Sequence, residues 1–138
     1  VFIGDSLVTD ITPLKSARGL KQLGCNELHI GTLDALEGMT ELEMICLAGS
    51  GLWSIAPLSS SKKLKNVYIG RNNVSDLSPL IGCDISEMYI DLNQLNGNLE
   101  AFRGLTVHGF IVMNGNGYKP EDIEYIRSTI NGEVEIEI

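Results

Sequence analysis

Residues that usually carry chemistry are scarce in this chain. It has two histidines, His29 and His108, among 138 residues. Neither has a second His or Cys at metal-ligand spacing, so both read as exposed polar residues rather than ligands. The three cysteines, Cys25, Cys46 and Cys83, are an odd number without a metal-type spacing. The plain reading is small buried or half-buried residues in a reducing compartment; a disulfide with one thiol left over is the alternative. Positive charge is also short: 10 Lys and Arg stand against 18 Asp and Glu, for a net charge of −8. That balance argues against a nucleic-acid partner, because phosphate binding needs a clustered basic surface. No apolar run approaches the ~20 residues of a membrane-spanning helix, so membrane insertion is not expected. The "GNG" at 115 to 117 lacks the Lys-Ser/Thr of a phosphate loop. Neither a metal nor a cofactor is expected.

What the chain does have is internal repetition. Shifting it by three periods of 22 lays "IGDSLVTDITPL" (3 to 14) on "IGRNNVSDLSPL" (69 to 80). Counted from a leading leucine, apolar columns fall at positions 1, 4, 6, 11, 14 and 17. Position 4 holds Val1, Leu23, Ile45, Val67, Met88 and Ile111; position 6 holds Ile3, Cys25, Leu47, Ile69, Ile90 and Met113. Position 17 holds Leu14, Leu36, Leu58, Leu80 and, one residue late, Phe102. The fifth copy starts one residue early and carries one extra near "NGN" (96 to 98); the sixth is back in phase.

This pattern resembles the leucine-rich repeat family in its short, 22-residue internalin-like form. Positions 4 and 6 alternate as in a short strand. The family's position 9 is an Asn that bonds backbone after the strand. Here it is Asn72, Asn93 and Asn116, but Ser6, Leu28 and Ser50 in the first three copies, which weakens that ladder at the N-terminal end. Pro13, Pro57 and Pro79 each precede the position-17 leucine, where a fixed φ suits a tight arc. The resemblance implies an α/β fold: a right-handed leucine-rich-repeat solenoid, with a parallel sheet on its concave face and loops or 3-10 turns on the return legs.

The repeats are expected over residues 1–118, with the first copy incomplete, and a C-terminal cap over 119–138. In "KPEDIEYIRSTING", Pro120 suits a first helical turn, Glu121 and Asp122 favour the positive end of the helix dipole, and Gly132 is the expected stop. "EVEIEI" then alternates: Val134, Ile136 and Ile138 would continue the inner columns as a seventh strand, with Glu133, Glu135 and Glu137 outward. Like charges along an edge strand resist pairing with another chain. Val1 already occupies an inner-strand position. The sequence is therefore expected to start inside a repeat, and self-association through that uncapped edge is expected.

Gly4-Asp5-Ser6-Leu7 also looks like the nucleophile block of the GDSL lipase and esterase family, which would make Ser6 an ester-attacking serine. That family needs a late Asp-x-x-His. Three residues before His29 and His108 stand Asn26 and Leu105. A serine without a base is not activated, and the repeat accounts for Ser6 as a turn residue. The ester-hydrolase reading is the minor alternative, and no catalytic residue is expected.

With positions 4 and 6 inward, positions 3, 5 and 7 face out of the sheet. Met44, Tyr68, Tyr89 and Phe110 lie there, Lys65 and Arg71 flank the middle, and Asp91 and the terminal glutamates lie toward the C-terminal end. Aromatics, Met and Arg are enriched at interface cores. Met44, Tyr68, Arg71, Tyr89 and Phe110 are accordingly the candidate partner-binding residues. The expected function is protein–protein binding through the concave face, or a spacer role within a longer surface protein. The internalin-like form suggests a bacterial source, with a cytoplasmic or an exported location both open. Trp53 lies at the turn toward the return leg, as a secondary contact or a cover for repeat core.

Overall fold

The computed structural model describes residues 1–3 and 7–138; Gly4, Asp5 and Ser6 lie outside them. Six parallel strands form one sheet in chain order: β1 (Gln22–Gly24), β2 (Met44–Cys46), β3 (Asn66–Tyr68), β4 (Asp84–Tyr89), β5 (Thr106–Val112) and β6 (Val134–Glu137). A single bridge from Phe2 to Gly24 extends the sheet one tier further. The "EVEIEI" segment is therefore the seventh tier. Its Val134 is buried, and its three glutamates are exposed. This is a leucine-rich-repeat solenoid with an open sheet and few helical residues.

The register follows the columns. Leu23, Ile45, Val67, Met88, Ile111 and Ile136 are aligned partners across the six strands. The first five are fully buried. So are Leu47, Ile69 and Ile90 of the next inward column. At about 1.5–3 kcal/mol for each large apolar side chain buried, these columns are the main force holding the tiers together. Short 3-10 turns, at Thr12–Ser16, Asp34–Leu36, Ala56–Ser60, Ser78–Leu80 and Leu99–Phe102, make the return legs. Proline occupies the first turn of three of them, where no hydrogen bond is lost.

Polar ladders bind successive tiers. The amide of Asn72 donates to the Leu47 and Ile69 carbonyls at 2.9 and 2.8 Å, and its oxygen accepts from the Ser50 and Leu52 N–H groups at 3.0 Å each. Asn93 and Asn116 repeat the pattern one and two tiers later. Ser50, in the same slot, keeps the bond to the tier before: its hydroxyl donates to the Cys25 carbonyl at 2.6 Å. A second ladder runs along the return leg, where buried Ser61 donates to the Met39 carbonyl and the Cys83 thiol to the Ser61 carbonyl. All three cysteines are free thiols, Cys25 and Cys83 buried and Cys46 half-buried.

One local expectation is corrected. The cap helix α1 (Ile123–Thr129), entered by a 3-10 turn at Pro120–Asp122, ends before Gly132. Ile130 takes an extended conformation (φ −91°, ψ 141°) and is buried, so seating that side chain stops the helix first. Val112, at an outward position, is only 9% exposed. It lies between Tyr89 and Glu137 on the neighbouring strands.

Candidate interaction face

The outward rows of the sheet carry the candidate residues. Tyr68 on β3 and Tyr89 on β4 are direct partners, with ring centroids 5.2 Å apart and planes tilted by 41°. Tyr89 and Phe110 follow at 6.3 Å and 39°. Three rings from three consecutive strands thus form one contiguous row, each ring half-buried. Offset, tilted pairs of this kind are the favoured aromatic geometry.

The Tyr68 hydroxyl donates to Oε2 of Glu87 at 2.5 Å. That bond, together with partial burial, pushes the Tyr68 phenol up to about 12, because ionising it would set a second negative charge against the carboxylate. The bond fixes the first ring of the row and turns the Glu87 carboxylate toward the aromatics.

Met44 and Arg71 stand apart from the row. Met44 is half-buried on β2, paired with Gln22 on one side and Asn66 on the other. Arg71 follows β3 at the rim, exposed, with φ +55°. Its N–H donates to the Asp91 carbonyl at 2.8 Å. The same repeat position is left-handed in Glu27, Gly49, Leu92 and Gly115, so this conformation recurs in the turns of five successive tiers.

An irregularity in β5 shapes the C-terminal end of the face. Ile85 pairs with Val107 but Glu87 pairs with Phe110, so His108 and Gly109 stand opposite Ser86 alone. A bulge of this kind twists the strand and re-aims its side chains. Beside it opens a cleft of about 630 Å³, lined by Ser86, Glu87, His108, Gly109, Phe110 and Glu133 to Glu135. Gly109 is required there, because a Cβ would run into the Ser86 carbonyl.

His108 is exposed, with Nε2 at 3.5 Å from the Asp84 carboxylate, and His29 is exposed as well. Ser6 lies outside the described residues. Burial pushes the Cys25 and Cys83 thiols up, away from the reactive thiolate. Among the described residues no group of three His, Cys, Asp or Glu side chains is arranged to hold a metal. Among the described residues no helix is long and apolar enough to cross a membrane. Trp53 is 73% exposed beside a depression lined by Gly31, Thr32 and Pro57, so covering core is not its main role.

No protein-family model matches the chain. Among curated proteins it is 36% identical over 80 residues to leucine-rich repeat-containing protein 56 of Homo sapiens and 35% identical to that of Mus musculus. Among solved structures it superposes on an internalin (inlF) from Listeria monocytogenes str. 4b F2365 with a TM-score of 0.71 at 20% identity, over 93% of this chain. This is a leucine-rich-repeat protein. The aligned stretch is 57% of the leucine-rich-repeat chain and only 14% of either curated relative, and the superposition covers 38% of the internalin.

The inward columns were legible from periodicity alone, and so were the outward positions of the rings. The Tyr68–Glu87 bond was not, since it joins position 5 of one tier to position 3 of the next. Nor was the cleft. The phase slip in "ISEMYI" was its only trace in the sequence.

Proposed function

We propose that this leucine-rich-repeat chain is a non-catalytic recognition module that binds a protein partner through the concave face of its sheet. The observation that carries the reading is the row Tyr68–Tyr89–Phe110. Three half-buried rings, prepaid in conformational entropy by mutual stacking, stand on a sheet face where no element among the described residues covers them. Tyr and Phe are over-represented in interface cores, and rigid aromatics lose little freedom when a partner closes over them. The family's general use of such repeats as recognition scaffolds supports the same reading.

The test is affinity capture with the folded domain, identification of what is retained by mass spectrometry, and titration against Tyr68→Ala/Tyr89→Ala. Binding should weaken by about 2 kcal/mol or more per ring. The melting temperature should fall only slightly, as for partly exposed strand sites. A captured partner that binds the double variant with unchanged affinity would move the contact elsewhere, with the exposed Trp53 next in line.

A further inference from the structure

The outward rows are electrically one-sided. From β1 to β6, position 3 reads Gln22, Met44, Asn66, Glu87, Phe110 and Glu135; position 5 reads Gly24, Cys46, Tyr68, Tyr89, Val112 and Glu137. Position 7 adds Asn26, Ala48, Gly70, Asp91 and Asn114. These rows hold four carboxylates, Glu87, Asp91, Glu135 and Glu137, and no lysine or arginine. All four belong to the C-terminal half. The chain's own cations sit on the return legs and the rim, and their ion pairs go to Glu41, Glu43, Glu100 and Glu124. Among the described residues, neither Asp91 nor Glu135 has an ion-pair partner.

The aromatic row runs into this acidic half. Glu87, Phe110 and Glu135 are aligned partners on three consecutive strands, so a carboxylate stands on each side of the last ring. Strands spaced ~4.8 Å apart put the two glutamate backbones roughly 10 Å apart across Phe110. All three residues line the cleft beside the bulge, together with small Ser86 and Gly109. An aromatic face attracts a cation within ~6 Å, and a guanidinium both stacks on a ring and pairs with carboxylates in its plane. An anion here would meet four like charges.

We propose that the C-terminal half of the face receives a basic segment of a protein partner, with one arginine or lysine side chain lying on Phe110 between Glu87 and Glu135. This rests on the concave-face reading and adds the partner's chemistry to it. One oxygen of Glu87 stays bonded to Tyr68, which holds that carboxylate in place for the incoming cation.

The test uses the chain as it is and needs no identified partner. N-acetyl-argininamide is titrated into the 15N-labelled protein, with N-acetyl-glutaminamide as the neutral control. Saturable amide shifts are expected at Ser86, Gly109, Phe110 and Glu135 for the arginine probe only, weakening as salt is raised. Glu135→Gln, a change at an exposed edge position, should lower the probe's affinity about threefold to fivefold, the weight of one exposed ion pair. Phe110→Leu should lower it independently. The inference is overturned by shifts that do not saturate, by a neutral probe that binds equally, by Glu135→Gln without effect, or by Ca²⁺ shifting these amides where the arginine probe does not. It also fails apart from the broader reading. A captured partner that is weakened by Tyr68→Ala/Tyr89→Ala, yet keeps its affinity and salt dependence against Glu135→Gln, would remove the basic-segment inference and leave the concave-face reading standing.

Discussion

Replacing Asn72 by Ala should be among the most damaging polar substitutions in this chain. Asn72 is 4% exposed and closes a local network with both ends of its amide. Truncation orphans two N–H donors, those of Ser50 and Leu52, and removes the donor shared by the Leu47 and Ile69 carbonyls. An unsatisfied buried polar group costs about 1–3 kcal/mol, and carbonyls with a second lone pair tolerate the loss better than donors. Two orphaned donors dominate, for a total of ~3–4 kcal/mol, a large part of the ~5–15 kcal/mol that a domain has. Asn72→Ser should cost roughly half as much. Ser50 shows what a serine does in this slot: it keeps the bond to the carbonyl of the preceding tier. Urea unfolding gives the two losses, and hydrogen exchange locates them. The Ser50 and Leu52 amides should lose protection in both variants while those of the cap do not. Two variants within about 1 kcal/mol of wild type, or unchanged protection at Ser50 and Leu52, would refute the ladder as a source of stability.

Leu64 is fully buried at position 1 of the central tier, and Leu64→Ala should cost ~2–5 kcal/mol in urea unfolding. A midpoint shift no larger than that of a surface variant would contradict the register. Tyr68 has its phenol pushed up to about 12 by Glu87, so its contribution to stability is whole below pH 10 and is lost as pH rises from 10 to 12. In an absorbance titration at 295 nm, Tyr68→Phe should remove a late-ionising phenol; removal of one that ionises near pH 10 would show the bond to be absent in solution. Glu100 accepts bonds from Arg103 and Tyr125, and these, Arg103 first, hold its carboxyl down to about 2. Its contribution is therefore present above pH 4.5 and lost as pH falls from 4.5 toward 2. The Tyr125 ring resonances should shift across that window, and Glu100→Gln should abolish the shift.

The columns were legible because each apolar position is stated four to six times, and tier-to-tier pairing forces every copy into one register. Single-copy features had no such redundancy. The early end of α1 depends on where Ile130 can reach core, which no helix-stop signal in "STING" expresses. The thiol of Cys83 reads as a small apolar residue, and its place in the return-leg ladder emerges only beside Ser61 and Met39, 22 and 44 residues earlier. At the candidate face the rings were legible as outward positions. The cleft beside Phe110 required the bulge to be seen.

The slip in phase also bears on how such a chain can change length through evolution. Val67 pairs with Met88, 21 residues on, and Met88 pairs with Ile111, 23 residues on, so a residue lost in one copy is restored in the next. Because side chains alternate along a strand, an uncompensated one-residue deletion within β4 would turn the remainder of that strand inside out. The correction is lodged where the backbone has slack: in the turn at Asn96 to Asn98 and in the two-for-one pairing of His108 and Gly109 against Ser86. Insertions and deletions in this lineage should therefore collect at those two places, or arrive as whole units of 22, and the inward columns should pass through both kinds of event unchanged.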